Sequence, residues 1–102
     1  MLNLEWIISK LKQDKYFFSG HADKERMNDN LLISEVEESI MNGSILEAYP
    51  DDQRGSSCLV VGFTKEGKPI HSVCGENDDV LIIITVYIPA PPKFVNPYER
   101  SN

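Results

Sequence analysis

The hydrophobic pattern of this chain changes its period at Gly43, and that change limits the folds the chain can adopt. Before Gly43, apolar residues recur every three or four positions, which is the spacing of one helical face. This pattern predicts an amphipathic helix over 3–13, and a shorter polar helix is expected over 21–28. After Gly43, short apolar runs separated by turn residues are typical of strands. Helices followed by strands predict an α+β domain with the N-terminal helices packed on one face of a sheet.

A further helix, over 34–42, has the strongest local signal in the sequence. Ser34 and Glu37 have the spacing of a capping box, in which each side chain accepts a hydrogen bond from the other residue's backbone amide. Asn42-Gly43 is typical of a helix end, because both residue types tolerate the left-handed conformation.

The strands are expected to form an antiparallel meander of at least four strands, because the turns between them are too short for a parallel crossover. The predicted strands span residues 44–50, 56–64, 69–75 and 79–88. The aromatic run at 16–18 is also suited to a strand. Proline is frequent after residue 88, so we expect one domain over 1–92 and a Pro-containing, partly ordered tail over 93–102.

Turn chemistry predicts which strand residues face each other. If residues 65–67 form a three-residue turn with Gly67 in the left-handed region, Cys58 lies directly opposite Cys74. The two cysteines are expected to be small buried hydrophobic residues with reduced thiols. The next turn is expected to place His71 beside Ile84 on the apolar face that carries the helices.

The charge and length of the chain exclude several classes of protein. The longest apolar run has five residues, which is too short to span a membrane, and the N-terminus lacks the pattern of a secretory signal. We therefore expect a cytoplasmic protein. The net charge of −6 is concentrated in residues 23–54, where nine acidic residues face three basic ones. No basic stripe is present, so the chain is not expected to hold a nucleic acid through bulk charge.

Motifs for metals and cofactors are also missing from the sequence. The two histidines are fifty residues apart, the two cysteines do not form a CxxC pair, and no glycine-rich phosphate loop is present. We expect neither a metal nor a cofactor.

Five polar residues are candidates for chemistry, and each has a structural alternative. His21 opens a predicted helix, where it suits a base or a hydrogen-bond partner, but Arg26 lies about 140° around that helix, so spacing alone does not bring the two together. A solvated cap histidine and a surface arginine are the alternative. His71 fits a hydrogen-bonded core residue better than a catalyst, and it is expected to face away from Thr85 and Tyr87. Thr85 and Tyr87 alternate on one side of the last strand. They are either hydroxyl groups that take part in chemistry or residues present for packing and strand propensity.

Taken together, several segments resemble a bacterial family, the domain of unknown function 4258. The resemblance covers roughly 16–92 and rests on the order and spacing of the motifs. They are Phe18-Ser19-Gly20-His21-Ala22 with Arg26-Met27, Ile33-Ser34 with Val36 and Asn42-Gly43, Ile45-Leu46-Glu47-Ala48-Tyr49-Pro50-Asp51-Asp52, Leu59-Val60-Val61-Gly62, Pro69-Ile70-His71-Ser72-Val73 and Ile83-Ile84-Thr85-Val86-Tyr87.

The resemblance implies a RelE-like fold, similar to the RelE and BrnT ribonuclease toxins of bacterial toxin–antitoxin pairs. It implies a partner, an antitoxin with a zinc finger or a helix-turn-helix, and RNA as the substrate if the chain is active. The matched polar positions are His21, Arg26, His71, Thr85 and Tyr87. Such residues could support metal-independent cleavage: a histidine removes the 2′-hydroxyl proton, an arginine stabilises the phosphorane, and a second histidine or a tyrosine protonates the leaving oxygen.

A non-catalytic interaction module on the same fold is the competing hypothesis. In this case the tail and one face of the sheet, the face with both apolar and polar residues that includes Thr85 and Tyr87, would hold a protein partner. The acidic surface would suit a basic partner, such as a DNA-binding antitoxin.

Overall fold

Three helices and a five-stranded sheet form the body of the protein in the computed structural model, which describes residues 2–51, 53 and 55–102. Asp52, in one of the quoted motifs, lies outside the described residues. The helices are α1 (Leu4–Lys12), α2 (Gly20–Asn28) and α3 (Ile33–Met41). The sheet contains β1 (Tyr16–Phe18), β2 (Ser44–Tyr49), β3 (Ser57–Phe63), β4 (Pro69–Asn77) and β5 (Val80–Tyr87), and β6 (Phe94–Asn96) and β7 (Glu99–Arg100) form a separate ribbon.

The α+β class is confirmed, but the sheet is mixed rather than purely antiparallel. Its order is β1-β5-β4-β3-β2. The strands β2 to β5 form the predicted antiparallel meander, whereas β1 pairs with β5 in parallel. No short turn joins β1 to β5, because two helices and three strands lie between them in the chain. Their relative direction is therefore not restricted to antiparallel.

The α3 helix begins two residues earlier than the capping-box prediction. Its N-cap is Leu32, and the Glu35 carboxylate accepts a hydrogen bond from the Leu32 amide at 2.9 Å. The predicted pair of Ser34 and Glu37 is therefore wrong, because both residues lie inside the helix. Glu37 instead accepts a hydrogen bond from the Tyr16 hydroxyl, which fixes α3 to β1.

The hairpin between β3 and β4 has the predicted register. Gly67 has a φ of 85°, and Cys58 lies directly opposite Cys74. Both cysteines are buried free thiols. Burial raises the pKa of Cys58 to about 11, and the pKa of Cys74 is raised as well, so both sulfurs remain protonated at neutral pH.

The helices cover the face of the sheet opposite to the predicted one. We call this the helix face; its core residues are Cys58, Val60, Ile70, Cys74, Leu81 and Ile83. We call the opposite face the strap face, because the end of the chain covers it. It carries Leu59, Val61, His71, Val73, Thr85 and Tyr87. Both faces are rich in apolar residues, so alternation alone did not distinguish them. Gly62 contributes to the choice, because α3 approaches so closely there that an added Cβ would lie 1.7 Å from the Ser39 carbonyl oxygen.

A β-bulge in β5 changes the register that turn chemistry predicted. Val73 lies opposite Thr85 and Cys74 lies opposite Ile83, so Ile84 is the extra residue. The bulge shifts the pairing by one position, and the turn between Asn77 and Val80, which is tighter than predicted, shifts it by two more. His71 is therefore paired with Tyr87 rather than with Ile84. The expectation that His71 faces away from Thr85 and Tyr87 is wrong, because directly opposed residues share a face of the sheet.

The end of the chain folds back over the strap face. We call residues 93–101 the C-terminal strap; it contains the ribbon of β6 and β7, closed by a hydrogen bond from the Ser101 amide to the Lys93 carbonyl oxygen. Phe94 of the strap is buried and packs edge-on against His71, with 4.5 Å between the ring centroids. The segment predicted as a tail thus contributes an aromatic side chain to the core.

Candidate functional site

A buried histidine lies at the centre of the strap face. His71 is 0% exposed, and both of its ring nitrogens have partners. Nε2 lies 2.7 Å from the Pro97 carbonyl oxygen, and Nδ1 lies 3.1 Å from the Tyr87 hydroxyl oxygen. A carbonyl oxygen can only accept, so the network assigns the hydrogen to Nε2 and leaves Nδ1 to accept the Tyr87 hydroxyl proton. Burial lowers the pKa of His71, which keeps the imidazole neutral at pH 7.

Tyr87 connects this histidine with the protein surface. Its side chain is partly buried, and burial raises its pKa, so the hydroxyl group remains protonated at neutral pH. Tyr87 lines an open cleft of about 330 Å3, which we call the Tyr87 cleft. The other lining residues are Glu25, Ile88, Ala90, Pro91, Pro92, Lys93 and Phe94. This hydrogen-bonded pair therefore has one member in a surface cleft and the other in the core.

Three further residues form an ionic cluster beside the histidine. Arg100 of the strap donates hydrogen bonds from Nε and Nη2 to the two Glu47 oxygens, at 2.6 and 2.8 Å, and the Tyr49 hydroxyl also donates to Glu47. The guanidinium lowers the pKa of Glu47 to about 2, so the carboxylate is ionised at neutral pH. Burial has the largest effect on the pKa of His71 and lowers it, whereas the Glu47 charge raises this pKa and the Arg100 charge lowers it.

This cluster was not predicted from the sequence. Glu47 and Tyr49 alternate on β2 in the same way as Thr85 and Tyr87 alternate on β5. That alternation was the available signal for the acidic side of the cluster. No local pattern indicates Arg100, because only the fold of the strap brings it to β2.

His21 lies at the outer end of the same region. Its side chain is 68% exposed, and its Nε2 lies 3.3 Å from Oε1 of Glu25, one turn further along α2. The same Glu25 oxygen accepts a hydrogen bond from the Val86 amide, and Glu25 lines the Tyr87 cleft. His21 is thus linked to the cleft through Glu25.

Arg26 has a different environment from the other predicted site residues. Its guanidinium donates hydrogen bonds to Asp23 and to the Leu31 carbonyl oxygen, and it lies over the Phe18 ring. These contacts fix the connection between α2 and α3, and Arg26 does not line the Tyr87 cleft. Thr85 shares the strap face with Tyr87, two positions along β5.

The described residues contain no cluster of three His, Cys, Asp or Glu side chains that could hold a metal ion. Within the same part of the chain, no helix is long and apolar enough to cross a membrane. The chemistry that the site offers through its own side chains is proton transfer, by Tyr87 with His71 behind it and by His21 beside Glu25.

The fold and the site define a small α+β domain with a histidine–tyrosine pair on the sheet face opposite its helices. The chain matches the family described as "Domain of unknown function (DUF4258)" over residues 18–88, which is most of its length, and it belongs to that family. The matched span includes His21, Glu47, His71 and Tyr87, whereas α1 and the C-terminal strap lie outside it. No curated protein and no solved structure gives a significant match.

Proposed function

We propose that this protein is a metal-independent ribonuclease of the bacterial toxin–antitoxin type, with a RelE-like fold and a cytoplasmic RNA substrate. The observation that carries the proposal is the hydrogen bond between the Tyr87 hydroxyl and Nδ1 of His71, with Tyr87 open to a cleft. The proposal adopts the reaction that the family resemblance implied, that of the RelE and BrnT ribonucleases.

The first half of the reaction removes a proton from RNA. The Tyr87 oxygen accepts the 2′-hydroxyl proton while the tyrosine's own proton passes to Nδ1 of His71. The ionised Glu47 nearby stabilises the imidazolium that forms, and Arg100 opposes this effect as long as it is paired with Glu47. Tyr87 can therefore act as a base without carrying a negative charge itself.

The second half breaks the phosphodiester bond. The 2′-oxygen attacks phosphorus, the bond to the 5′-oxygen breaks, and a protonated His21 donates a proton to that oxygen. The products are a 2′,3′-cyclic phosphate and a 5′-hydroxyl group, and water restores both histidines to their starting states. Lys93 in the cleft wall offers a positive charge for the phosphate, a role that the sequence hypothesis gave to Arg26.

Removal of the tyrosine hydroxyl tests this mechanism. The variant Tyr87→Phe should cleave a fluorescent RNA oligonucleotide about 10²–10⁴-fold more slowly than the parent protein, which is the usual contribution of acid–base catalysis. Tyr16→Phe is the matched control, because it removes another hydrogen-bonded hydroxyl, on the helix side of the sheet. Equal rates for Tyr87→Phe and the parent protein would exclude the relay.

The rate of RNA cleavage should also be insensitive to chelators. The variant His21→Ala should slow cleavage and leave the melting temperature almost unchanged, because the His21 side chain is exposed. The ribonuclease proposal fails if neither the parent protein nor its strap variant Arg100→Gln cleaves RNA.

A second candidate function, docking of a basic protein partner, is favoured by one surface feature. Met27, Leu32 and Ile33 are exposed apolar residues around the connection between α2 and α3. They lie in the segment 23–54 that carries the excess negative charge. A partner with apolar and basic side chains, such as the zinc-finger or helix-turn-helix antitoxin implied by the resemblance, would complement this surface.

Docking can be tested separately from cleavage. If a neighbouring gene encodes such a protein, titration calorimetry should show binding that Leu32→Asp weakens at least tenfold. Val95→Asp is the control, because Val95 is an exposed apolar residue on the strap. Equal affinity for the two variants would exclude this surface as the docking site.

A further inference from the structure

The C-terminal strap covers the proposed catalytic pair. Phe94 packs on the rings of both His71 and Tyr87, with centroid distances of 4.5 and 6.4 Å. The Pro97 carbonyl oxygen occupies Nε2 of His71, and Tyr98 packs against Phe63 of the sheet. With these contacts in place, His71 is completely inaccessible to solvent.

The ribbon of the strap depends on its contacts with the sheet. It consists of a three-residue strand and a two-residue strand, and such a small hairpin is at best marginally stable alone. The bidentate ion pair between Arg100 and Glu47 supplies its charged attachment to the sheet, and this pair is partly open to water, with side-chain exposures of 52% and 26%. The strap also lies beyond residue 88, where the family match ends.

A phosphodiester is chemically suited to replace Glu47 as the partner of Arg100. The guanidinium binds carboxylates and phosphates with the same planar, bidentate geometry. Lys93 of the strap, in the wall of the Tyr87 cleft, lies where a phosphate entering that cleft would meet it. An RNA backbone can therefore compete for the contact that keeps the strap closed.

We propose that the C-terminal strap is an autoinhibitory cover, locked over His71 and Tyr87 by the Arg100–Glu47 ion pair and released when a phosphodiester takes Arg100. This inference rests on the proposed ribonuclease function. It assigns Arg100 and Phe94 to control of access, and it predicts a closed resting protein whose site opens on contact with RNA.

Chemical modification of histidine tests the cover without relying on catalysis. Diethyl pyrocarbonate acylates accessible imidazole nitrogens, and peptide mass spectrometry separates His21 from His71. In the parent protein, His21 should react readily and His71 should be protected, so His21 is an internal control. Arg100→Gln, which breaks the lock, and Phe94→Ala, which removes the buried ring, should each increase the modification rate of His71 at least tenfold.

Val95→Ala is the matched control, because Val95 is the exposed neighbour of Phe94 in β6. It should leave the His71 rate unchanged. An RNA oligonucleotide with 2′-O-methyl groups, which cannot be cleaved by attack of the 2′-oxygen, should increase the modification rate of His71 in the parent protein but not that of His21. Circular dichroism should show that all three variants remain folded.

The outcomes separate the strap from the ribonuclease. If His71 reacts as fast as His21 in the parent protein, or equally slowly in all the variants, the cover is overturned. Measurable RNA cleavage at equal rates by the parent protein and Arg100→Gln would also overturn it, whereas at least tenfold faster cleavage by the variant supports it. If Arg100→Gln uncovers His71 and RNA remains intact, the cover is upheld and the ribonuclease proposal fails.

Discussion

At the scale of single residues, the contact between α3 and the sheet depends on a missing side chain. Gly62 of β3 faces α3, and a Cβ there would lie 1.7 Å from the Ser39 carbonyl oxygen and 2.6 Å from the carbonyl carbon. The obstacle is backbone, so no side-chain rotation can relieve it. The helix itself would have to move away from the strand.

The variant Gly62→Ala should therefore destabilise the protein. The expected cost is about 1–3 kcal/mol, the usual range for overpacking a well-packed core. Urea unfolding followed by circular dichroism measures it. Gly20→Ala is the control, because an added Cβ there meets no atom within 4 Å and the residue lies in the first turn of α2. The control should be neutral or stabilise the protein by up to about 1 kcal/mol, and an equal loss in both variants would contradict the packing argument.

Some residues of the site could be predicted from the sequence, but the contacts between them could not. His71 and Tyr87 were both candidates, because each is a polar residue in a strand pattern. Their hydrogen bond could not be predicted, since it depends on the bulge at Ile84, which no turn motif indicates. Arg100 could not be found at all, because its partner Glu47 is 53 residues away in the chain.

At the scale of elements, α2 completes the hydrogen bonding of β5 beyond the point where β1 ends. β1 pairs only with residues 81–83. Further along β5, the Ser19 hydroxyl donates to the Ile84 carbonyl oxygen, Glu25 accepts from the Val86 amide, and Asp29 accepts from the Ile88 amide. Side chains of the helix and its cap thus replace the neighbouring strand along this edge, which would otherwise be open to other strands.

We expect Glu25→Ala to weaken this edge. The Val86 amide would lose its acceptor, at a cost of about 1–3 kcal/mol for a buried donor left unpaired. Hydrogen exchange measured by NMR should show faster exchange at Val86 than in the parent protein. Lys24→Ala changes an exposed neighbour on the same helix and should leave the Val86 rate as it is. Unchanged exchange in Glu25→Ala would mean that the carboxylate does not protect this amide.

Local chemistry predicted the strands of the meander well, although it placed the capping box of α3 on the wrong residues. The four strands of the meander and the Cys58–Cys74 register follow from turn residues a few positions away, such as Gly67. The parallel pairing of β1 and the choice of helix face depend on contacts between distant parts of the chain. Local pattern therefore gave the elements, and long-range packing decided their arrangement.

At the scale of the whole molecule, the ion pair that holds the strap makes stability depend on pH. Arg100 lowers the pKa of Glu47 from its ordinary value of 4.5 to about 2. A carboxyl whose pKa is lowered in the folded state stabilises that state fully above its unfolded pKa. This stabilisation is lost as the pH falls through the folded value, because the unfolded chain takes up the proton first.

The free energy of unfolding of the parent protein should therefore exceed that of Glu47→Gln at about pH 6, and the difference should shrink on acidification towards about pH 3. Urea titrations of both proteins at several pH values measure this difference. Glu99→Gln is the control, because Glu99 contacts only Asn96 among the side-chain hydrogen bonds described. A difference between the parent protein and Glu47→Gln that stays constant with pH would contradict the assignment of this ion pair.

The position of β5 in the sheet also has a consequence for synthesis on the ribosome. It lies between β1 and β4, yet it is the last strand of the sheet to emerge. The strand β1 therefore has no neighbour in the sheet until β5 is available. The hydrogen bond from the Ser19 hydroxyl to the Ile84 carbonyl oxygen likewise joins residues that are 65 positions apart in the chain. Until that moment α2 lacks the strand it packs against, and the nascent chain exposes the apolar sides of its helices. Completion of the sheet is therefore a late event that awaits the emergence of β5.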